Sequence, residues 1–161
     1  MRQGRRGEYV RAIWRGRMAR IDRRRLDAAT FAVTLDVPTR YDDVDMQGHV
    51  NNAAAVVILQ EARANFNVQA GMREHLAGYR MMVAGLTVEY AGENHHPGIV
   101  TVSTGVLAVG RTSFTLGQVA RQNGRSTLYA QATMVMADAN GPASIPDAMR
   151  AAYERLMIPE L

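Results

Sequence analysis

The feature that most constrains the fold is one apolar stretch, residues 53–59, in a chain whose other apolar residues mostly alternate with polar ones. Asn51 and Asn52 precede it, and Asn is a favoured helix N-cap because its side-chain oxygen accepts from first-turn N–H groups. The pattern runs to Gly71, a suitable C-cap, so it predicts one helix of about 18 residues. Since the first half is apolar all round, we expect burial on nearly every side.

Five other segments have the period of two that is typical of β-strands. These segments are residues 31–37, 82–90, 100–108, 114–120 and 128–136. The pair Asn123-Gly124 favours a hairpin between the last two, and Pro146 is suited to begin a short terminal helix, 146–157. A strand, a long helix and then four strands predict an α+β fold in which an antiparallel sheet wraps around one long central helix.

Charge is distributed very unevenly along the chain. All 19 basic residues are Arg, and residues 1–25 carry a net charge of +8 against −4 for the remainder. Basic arms can bind nucleic acid, but this one is too short for a helix-turn-helix module and the domain behind it is acidic, which argues against that partner. We expect residues 1–29 to be a flexible extension, or Met18 to be the true start, and residues 30–161 to form one domain.

Composition excludes several kinds of chemistry. The chain has no cysteine, which rules out disulfides, thiolate nucleophiles and cysteine-ligated metals. No apolar run reaches the length of a membrane span and no secretory signal is recognisable, so the expected location is the cytoplasm. His95 and His96 stand next to Pro97 without a visible ligand partner, which indicates a solvated turn. We therefore expect no metal and no other cofactor.

A polar segment with a specific pattern lies between the first strand and the helix. It reads Tyr41-Asp42-Asp43-Val44-Asp45-Met46-Gln47-Gly48-His49-Val50-Asn51-Asn52, and the helix continues with Gln60-Glu61-Ala62-Arg63. The segment resembles the 4-hydroxybenzoyl-CoA thioesterase-like branch of the hotdog superfamily, whose pattern is Tyr-x-Asp-x-Asp-x-x-Gly-His-Val-Asn-Asn ahead of a helix with Glu-Ala-Arg. The resemblance implies a hotdog fold, hydrolysis of an acyl-CoA or acyl-carrier-protein thioester at a subunit interface, and no metal.

The resemblance also implies roles for individual residues. Asp45 is the catalytic carboxylate, and the backbone N–H of Asn52 polarises the thioester carbonyl. For His49 it is the chemistry of the side chain that leaves three roles open: it contacts the substrate, orients Asp45 or packs as a neutral side chain. Five further positions are expected to contact the substrate: Gly48, Val50, Asn51, Arg111 and Ser113.

These roles make chemical sense without the family. A carboxylate can attack a thioester carbonyl or deprotonate a water, and a helix N-terminus offers free N–H donors to the developing oxyanion. Gly48 allows a positive φ or a close backbone approach. The alternative for Asp45 is a turn or capping residue, while Asp42 and Asp43 are expected to be structural, pairing with Arg40 or capping turns.

The chain departs from the family pattern at two places. Gln60 stands where many relatives carry an acid, with Glu61 one position late, which weakens the case for a second catalytic carboxylate. Ala55 replaces a frequent aromatic residue and suggests a roomier acyl pocket. Two other functions remain open: an acyl-thioester hydratase or dehydratase, and a non-catalytic acyl-CoA-binding module. An open sheet edge favours a homodimer or homotetramer.

Overall fold

The centre of the fold is a long helix, α2, which spans Asn52–Gln69 in the computed structural model of residues 20–161. Asn51 is its N-cap, and the Asn51 Oδ1 accepts from the Ala54 N–H at 2.8 Å. The helix ends at Ala70, and Gly71 follows with φ 81°, a conformation that glycine adopts at little cost. The predicted helix is thus confirmed at both ends.

An antiparallel sheet packs against this helix. Its strands are β1 Val33–Pro38, β2 Arg80–Tyr90, β3 Ile99–Val109, β4 Ser113–Gln122, β5 Arg125–Asp138 and the short β6 Gly141–Pro142. They are ordered β1-β3-β4-β5-β2, with β6 beside β5, so β1 and β2 lie at the edges. Asn123 and Gly124 both have positive φ and form the predicted two-residue hairpin turn.

Shorter elements complete the chain. They are α1 Arg23–Ala28, the 3-10 turn Tyr41–Asp43, α3 Met72–His75 and α4 Asp147–Arg155. Pro146 immediately precedes α4 at the N-cap position, close to the predicted start, and the helix ends two residues before the predicted position 157. Among the helices of residues 20–161, none is long and apolar enough to cross a membrane.

The inner face of the sheet and one side of α2 make the core. Ile58 and Leu59 of the helix are almost fully buried against Val102 and Ala130 of the sheet. A second cluster at the far end of the helix stacks Phe66 on Tyr153 of α4. The predicted arrangement, an antiparallel sheet wrapped around a long central helix, is confirmed.

One expectation about α2 is wrong. The first half of the helix is not buried on nearly every side, because Ala53 is exposed and Val57 is 42% exposed. A single sheet covers only one side of a helix, so the other side of α2 remains open in one chain. The apolar composition of the helix predicts burial because it shows which environment the side chains prefer. It does not show which other elements of the fold cover them.

The sequence predicts that residues 20–29 belong to the flexible N-terminal extension, and this boundary is wrong, because these residues pack onto the outer face of the sheet. Leu26 of α1 is 1% exposed and lies with Val119 and Ile158 in a third apolar cluster. Gly117 permits this approach, since a Cβ at that position would come within 2.7 Å of the Leu26 Cδ2 atom. The rest of the predicted extension, residues 1–19, lies outside the described residues.

Candidate functional site

Asp45, the predicted catalytic residue, lies in a tight turn just before α2. Its backbone N–H donates to the His49 carbonyl at 2.9 Å, and its carbonyl accepts from the Gly48 N–H at 3.0 Å. Its Oδ1 accepts from the backbone N–H groups of Gln47 and His49, at 2.8 and 3.2 Å. Gly48 has φ 84°, which confirms the expected positive-φ position. The carboxylate is therefore held in place by its own turn.

The same bonds determine the ionisation of this carboxylate. The backbone N–H of Gln47, and after it that of His49, hold the pKa of Asp45 below its ordinary value because they stabilise the charged form. The side chain is exposed to solvent, so it remains ionised at neutral pH. An ionised carboxylate is the form that either a nucleophile or a general base requires.

Asn51 ties this turn to the helix. Its backbone N–H and its Nδ2 both donate to the Asp43 carbonyl, at 2.8 and 2.9 Å, while its Oδ1 caps α2. Asp43 is buried and its Oδ2 accepts from the Arg40 N–H at 2.7 Å, so its predicted structural role is confirmed. Both polar side-chain atoms of Asn51 are thus already bonded within the protein. Its predicted contact with substrate remains a prediction.

A cleft opens between this turn, the start of α2 and the end of β2. Asp45 and His49 lie on one side of it, and Val50, Ala55 and Leu128 contribute apolar surface. Ala55 and Leu128 are almost fully buried. The cleft thus combines charged and polar side chains with a few apolar ones.

Asn52, the first residue of α2, also lines the cleft. The first four N–H groups of a helix have no partner within it, and Asn51 satisfies the one that belongs to Ala54. The Asn52 N–H lies at this positively polarised end, where it is suited to bind a partial negative charge. Tyr90 closes the same corner, with its hydroxyl 3.4 Å from the Asn52 carbonyl oxygen.

His49 has a charged neighbour that the sequence did not reveal. Its Nε2 lies 3.3 Å from the Glu93 Oε2, and the Nε2 of His95 lies 4.0 Å from the same oxygen. His49 and His95 face each other across an isolated antiparallel bridge. His95, expected to be a solvated turn residue, is indeed exposed, but it belongs to this three-residue cluster.

Several cleft residues could not be predicted from the sequence because they are distant in the chain from the Asp45 turn. The Val50 N–H donates to the Asn94 carbonyl at 2.7 Å, which brings Glu93 and Asn94 to the cleft. Tyr90 and Leu128 are register partners between β2 and β5. The alternating pattern of β2 could have suggested that Tyr90 lies on one face of the sheet, whereas no local signal marks Glu93 or Asn94.

Arg111 and Ser113 are not brought to this cleft within one chain. Arg111 lies in the β3–β4 turn and its Nη1 donates to the Ser144 Oγ at 3.2 Å. Ser113 begins β4, whereas Leu128 of the cleft pairs with Ala120, seven residues along that strand or roughly 24 Å away. Their predicted role in substrate binding therefore requires a second copy of the chain and remains a prediction.

The remaining motif residues on α2 have structural partners. Glu61 is exposed, lies 3.9 Å from an Arg40 nitrogen and is outside the cleft. Arg63 is buried, and its Nη1 donates to the Gln118 Oε1 at 2.9 Å. Burial lowers the pKa of Arg63. Gln118 also donates to the Leu59 carbonyl, so Arg63 helps to fasten the helix to β4.

Comparisons with solved structures identify the same architecture elsewhere. A thioesterase from Thermus thermophilus, solved with coenzyme A and Zn, is 26% identical with a TM-score of 0.71, over 81% of this chain and 98% of that one. The PA5185 protein from Pseudomonas aeruginosa is 18% identical with a TM-score of 0.73, over 81% and 95%. The DHNA-CoA thioesterase of Staphylococcus aureus is 17% identical with a TM-score of 0.66, over 76% and 89%.

The latter two likenesses show the fold alone, and with the first they confirm the predicted α+β hotdog fold. No curated protein matches the chain. Residues 39–153 match the family described as the thioesterase-like superfamily. That match spans the turn of Asp45, the whole of α2 and four of the five long strands, and it begins just after β1. The chain therefore belongs to the thioesterase-like superfamily.

Proposed function

We propose that the protein hydrolyses an acyl thioester, with coenzyme A as the thiol carrier, to a free acid and a thiol. The observation that carries this proposal is that the Asp45 carboxylate and the N-terminus of α2 line one cleft with apolar walls. Membership of the thioesterase-like superfamily supports it, and so does the coenzyme A bound to the Thermus relative.

The chemistry divides between these two groups. In one route the Asp45 carboxylate attacks the thioester carbonyl carbon, the C–S bond breaks to release the thiolate, and a water then hydrolyses the acyl–Asp45 anhydride to the free acid. In the other route Asp45 removes a proton from a water whose oxygen attacks the carbonyl carbon, and the C–S bond then breaks to release the thiolate and the free acid. The negative charge that develops on the carbonyl oxygen is stabilised by the Asn52 N–H. One such donor is typically worth about 3 kcal/mol in the transition state.

The acyl group occupies the apolar part of the cleft, against Val50, Ala55 and Leu128. Ala55 has a small side chain and lines the cleft, so a larger side chain at this position would fill part of the space. The proposal therefore predicts that Ala55→Phe shifts the preferred substrate towards smaller acyl groups. Relative kcat/KM across acyl-CoA esters of different size measures this shift, and an unchanged order would place the acyl group elsewhere.

The test of hydrolysis is thiol release from a panel of acyl-CoA esters that differ in length and aromaticity. Asp45→Asn keeps the shape of the side chain and its accepting oxygen, so kcat should fall by at least about 10²-fold with little change in KM. Asp42→Asn is the matched control, since Asp42 is an exposed acid three residues away and should retain turnover.

Two outcomes would contradict the proposal. Full turnover in Asp45→Asn together with collapse in Glu61→Gln would move the chemistry onto the helix. Tight binding of acyl-CoA by the unaltered protein, with no thiol released from any ester, would identify a binding module instead of an enzyme.

We further propose that the active unit is at least a dimer formed along β2. This edge strand exposes Met82, Val83, Leu86 and Tyr90, each by 38–50%, and an exposed apolar edge invites pairing with another strand. Antiparallel pairing of β2 with β2 of a second copy would cover these residues. It would also bring the Arg111 end of one sheet towards the cleft of the other.

Light scattering tests this assembly, because one chain has a mass of 17.7 kDa. We expect a dimer or larger at micromolar concentration, and Leu86→Arg should yield monomers with impaired turnover. Ile99→Arg is the control, since Ile99 is an even more exposed apolar residue, at 55%, on a strand away from β2. A stable and fully active monomer of the unaltered chain would refute the shared site.

A further inference from the structure

A cluster of three potential metal ligands lies at the rim of the cleft. The donor atoms of His49, Glu93 and His95 all lie within 4.8 Å of one another. The Glu93 Oε2 is 3.3 Å from the His49 Nε2 and 4.0 Å from the His95 Nε2. The two imidazole rings are 5.0 Å apart and nearly perpendicular, so they approach the carboxylate from different directions.

The backbone beneath the cluster is fixed. His49 and His95 are bridge partners. The N–H of Val50, which follows His49, donates to the carbonyl of Asn94, which lies between Glu93 and His95 in the chain. Gln122 clamps His95 from below, since its Oε1 accepts from the His95 N–H at 2.8 Å and its Nε2 donates to the His95 carbonyl at 2.9 Å. The three side chains therefore converge on a scaffold that is already formed.

The spacing suits a tetrahedral ion. Bonds of about 2.0–2.1 Å at tetrahedral angles place neighbouring donors roughly 3.3–3.5 Å apart, which the His49–Glu93 distance matches. His95 is about half an ångström too far from Glu93 for this geometry, by the same arithmetic. The side chains of His95 and Glu93 are 54% and 63% exposed, so neither is fixed by close packing and both can rotate towards a shared ion.

We propose that His49, Glu93 and His95 bind one divalent transition-metal ion of the zinc class. Two imidazoles and one carboxylate suit Zn²⁺, Ni²⁺ or Cu²⁺, whereas Mg²⁺ and Ca²⁺ prefer oxygen ligands throughout. Three protein ligands leave a coordination position for water. The sequence had led us to expect no metal, because the partners of His95 lie 46 residues earlier and on the far side of Asn94.

Binding of this ion has a consequence that rests on the proposed function. His49 lies beside Asp45, and its backbone N–H already donates to the Asp45 Oδ1. His49 and Glu93 line the same cleft as Asp45, so an ion bound between them would obstruct the approach of the thioester to the Asp45 carboxylate. We therefore expect zinc to inhibit thioester hydrolysis and magnesium to have no effect.

Titration calorimetry with zinc chloride and magnesium chloride tests the site on tag-free, chelator-treated protein. We expect one Zn²⁺ per chain and no Mg²⁺. His95→Gln should weaken zinc binding by at least about tenfold, the lower end of what lost metal-site contacts cost. His75→Gln is the matched control, because His75 lies in α3, outside the cluster. Equal weakening in both variants, or none in His95→Gln, would overturn the proposal.

Turnover gives a second and separable readout. His95→Gln should leave hydrolysis unchanged in the absence of zinc and should abolish its inhibition by zinc. Zinc inhibition that persists in His95→Gln would count against the site even if the enzyme is active. Site-specific zinc binding in a protein that releases no thiol would uphold the metal site and refute the proposed function instead.

Discussion

The Asn51 side chain joins the Asp45 turn to α2, so its removal tests how the site is assembled. Its Oδ1 caps the helix through the Ala54 N–H, and its Nδ2 donates to the Asp43 carbonyl. Loss of an N-cap costs about 0.5–2 kcal/mol, and loss of a typical hydrogen bond adds about 0.5–1.5 kcal/mol. The Asp43 carbonyl keeps a second donor, the Asn51 N–H, so the second cost should be at the low end. Asn51→Ala should therefore lower the free energy of unfolding by about 2 kcal/mol.

Urea denaturation followed by circular dichroism measures this cost. The midpoint should fall while the slope stays constant, because the surface exposed on unfolding is unchanged. Asn51→Ser separates the two contributions, since Ser caps a helix as well as Asn does but is too short to bridge to Asp43 as well. We expect Asn51→Ser to lose less than about 1 kcal/mol, roughly the hydrogen bond alone. Equal stability of the Ala and Ser variants would show that the cap contributes nothing and would refute the reasoning.

Four other predictions concern the site, α1 and residues 1–19. Gly48→Ala should lower the free energy of unfolding in urea denaturation by about 1–2 kcal/mol, because Gly48 has φ 84°. The whole cost comes from the backbone, since an added Cβ would contact nothing within 4 Å. No loss of stability would show that the turn relaxes. The pKa of Asp45 is lowered, so turnover should be present above that pKa and lost as the pH falls through it. The acid limb of the pH profile of kcat, measured by thiol release, should therefore lie below the ordinary pKa range of Asp. An acid limb near neutrality would point to another group. Leu26→Ala should lower the free energy of unfolding by about 2–5 kcal/mol. Removal of residues 1–19 should leave kcat within about threefold of the value for the full chain, a change worth under ~1 kcal/mol. A hundredfold loss of kcat would show that residues 1–19 are functional.

The parts of the fold that the sequence predicted correctly depend on local signals. Asn51 specifies the start of α2 and the pair Asn123-Gly124 specifies a hairpin, because each acts through its own backbone neighbours. The packing of α1 was missed since its Arg residues dominate the composition, while its attachment depends on one buried residue, Leu26, and on space left by Gly117. Neither residue is conspicuous alone, and a long stretch of chain separates them.

The candidate site divides in the same way. Asp45, Gly48 and Asn52 are close in sequence, so their spacing was sufficient to predict that they converge at a helix start. Glu93 reaches the same cleft, and His95 its rim, only through the bridge between His49 and His95. Which residue opposes which across such a bridge depends on the register of the whole sheet, and a single sequence does not specify it.

His49 is the residue at which these two halves meet, and its backbone and side chain act on different partners. The backbone N–H donates to Asp45, whereas the imidazole lies against Glu93. The backbone bond contributes more to the lowered pKa of Asp45 than the charge of the imidazole does. Substitution of the His49 side chain should therefore leave the ionisation of Asp45 largely intact while it removes a ligand from the cluster. The local turn thus holds the Asp45 carboxylate in place. The His49 imidazole instead contacts the distant residues Glu93 and His95, so it is available for a separate role.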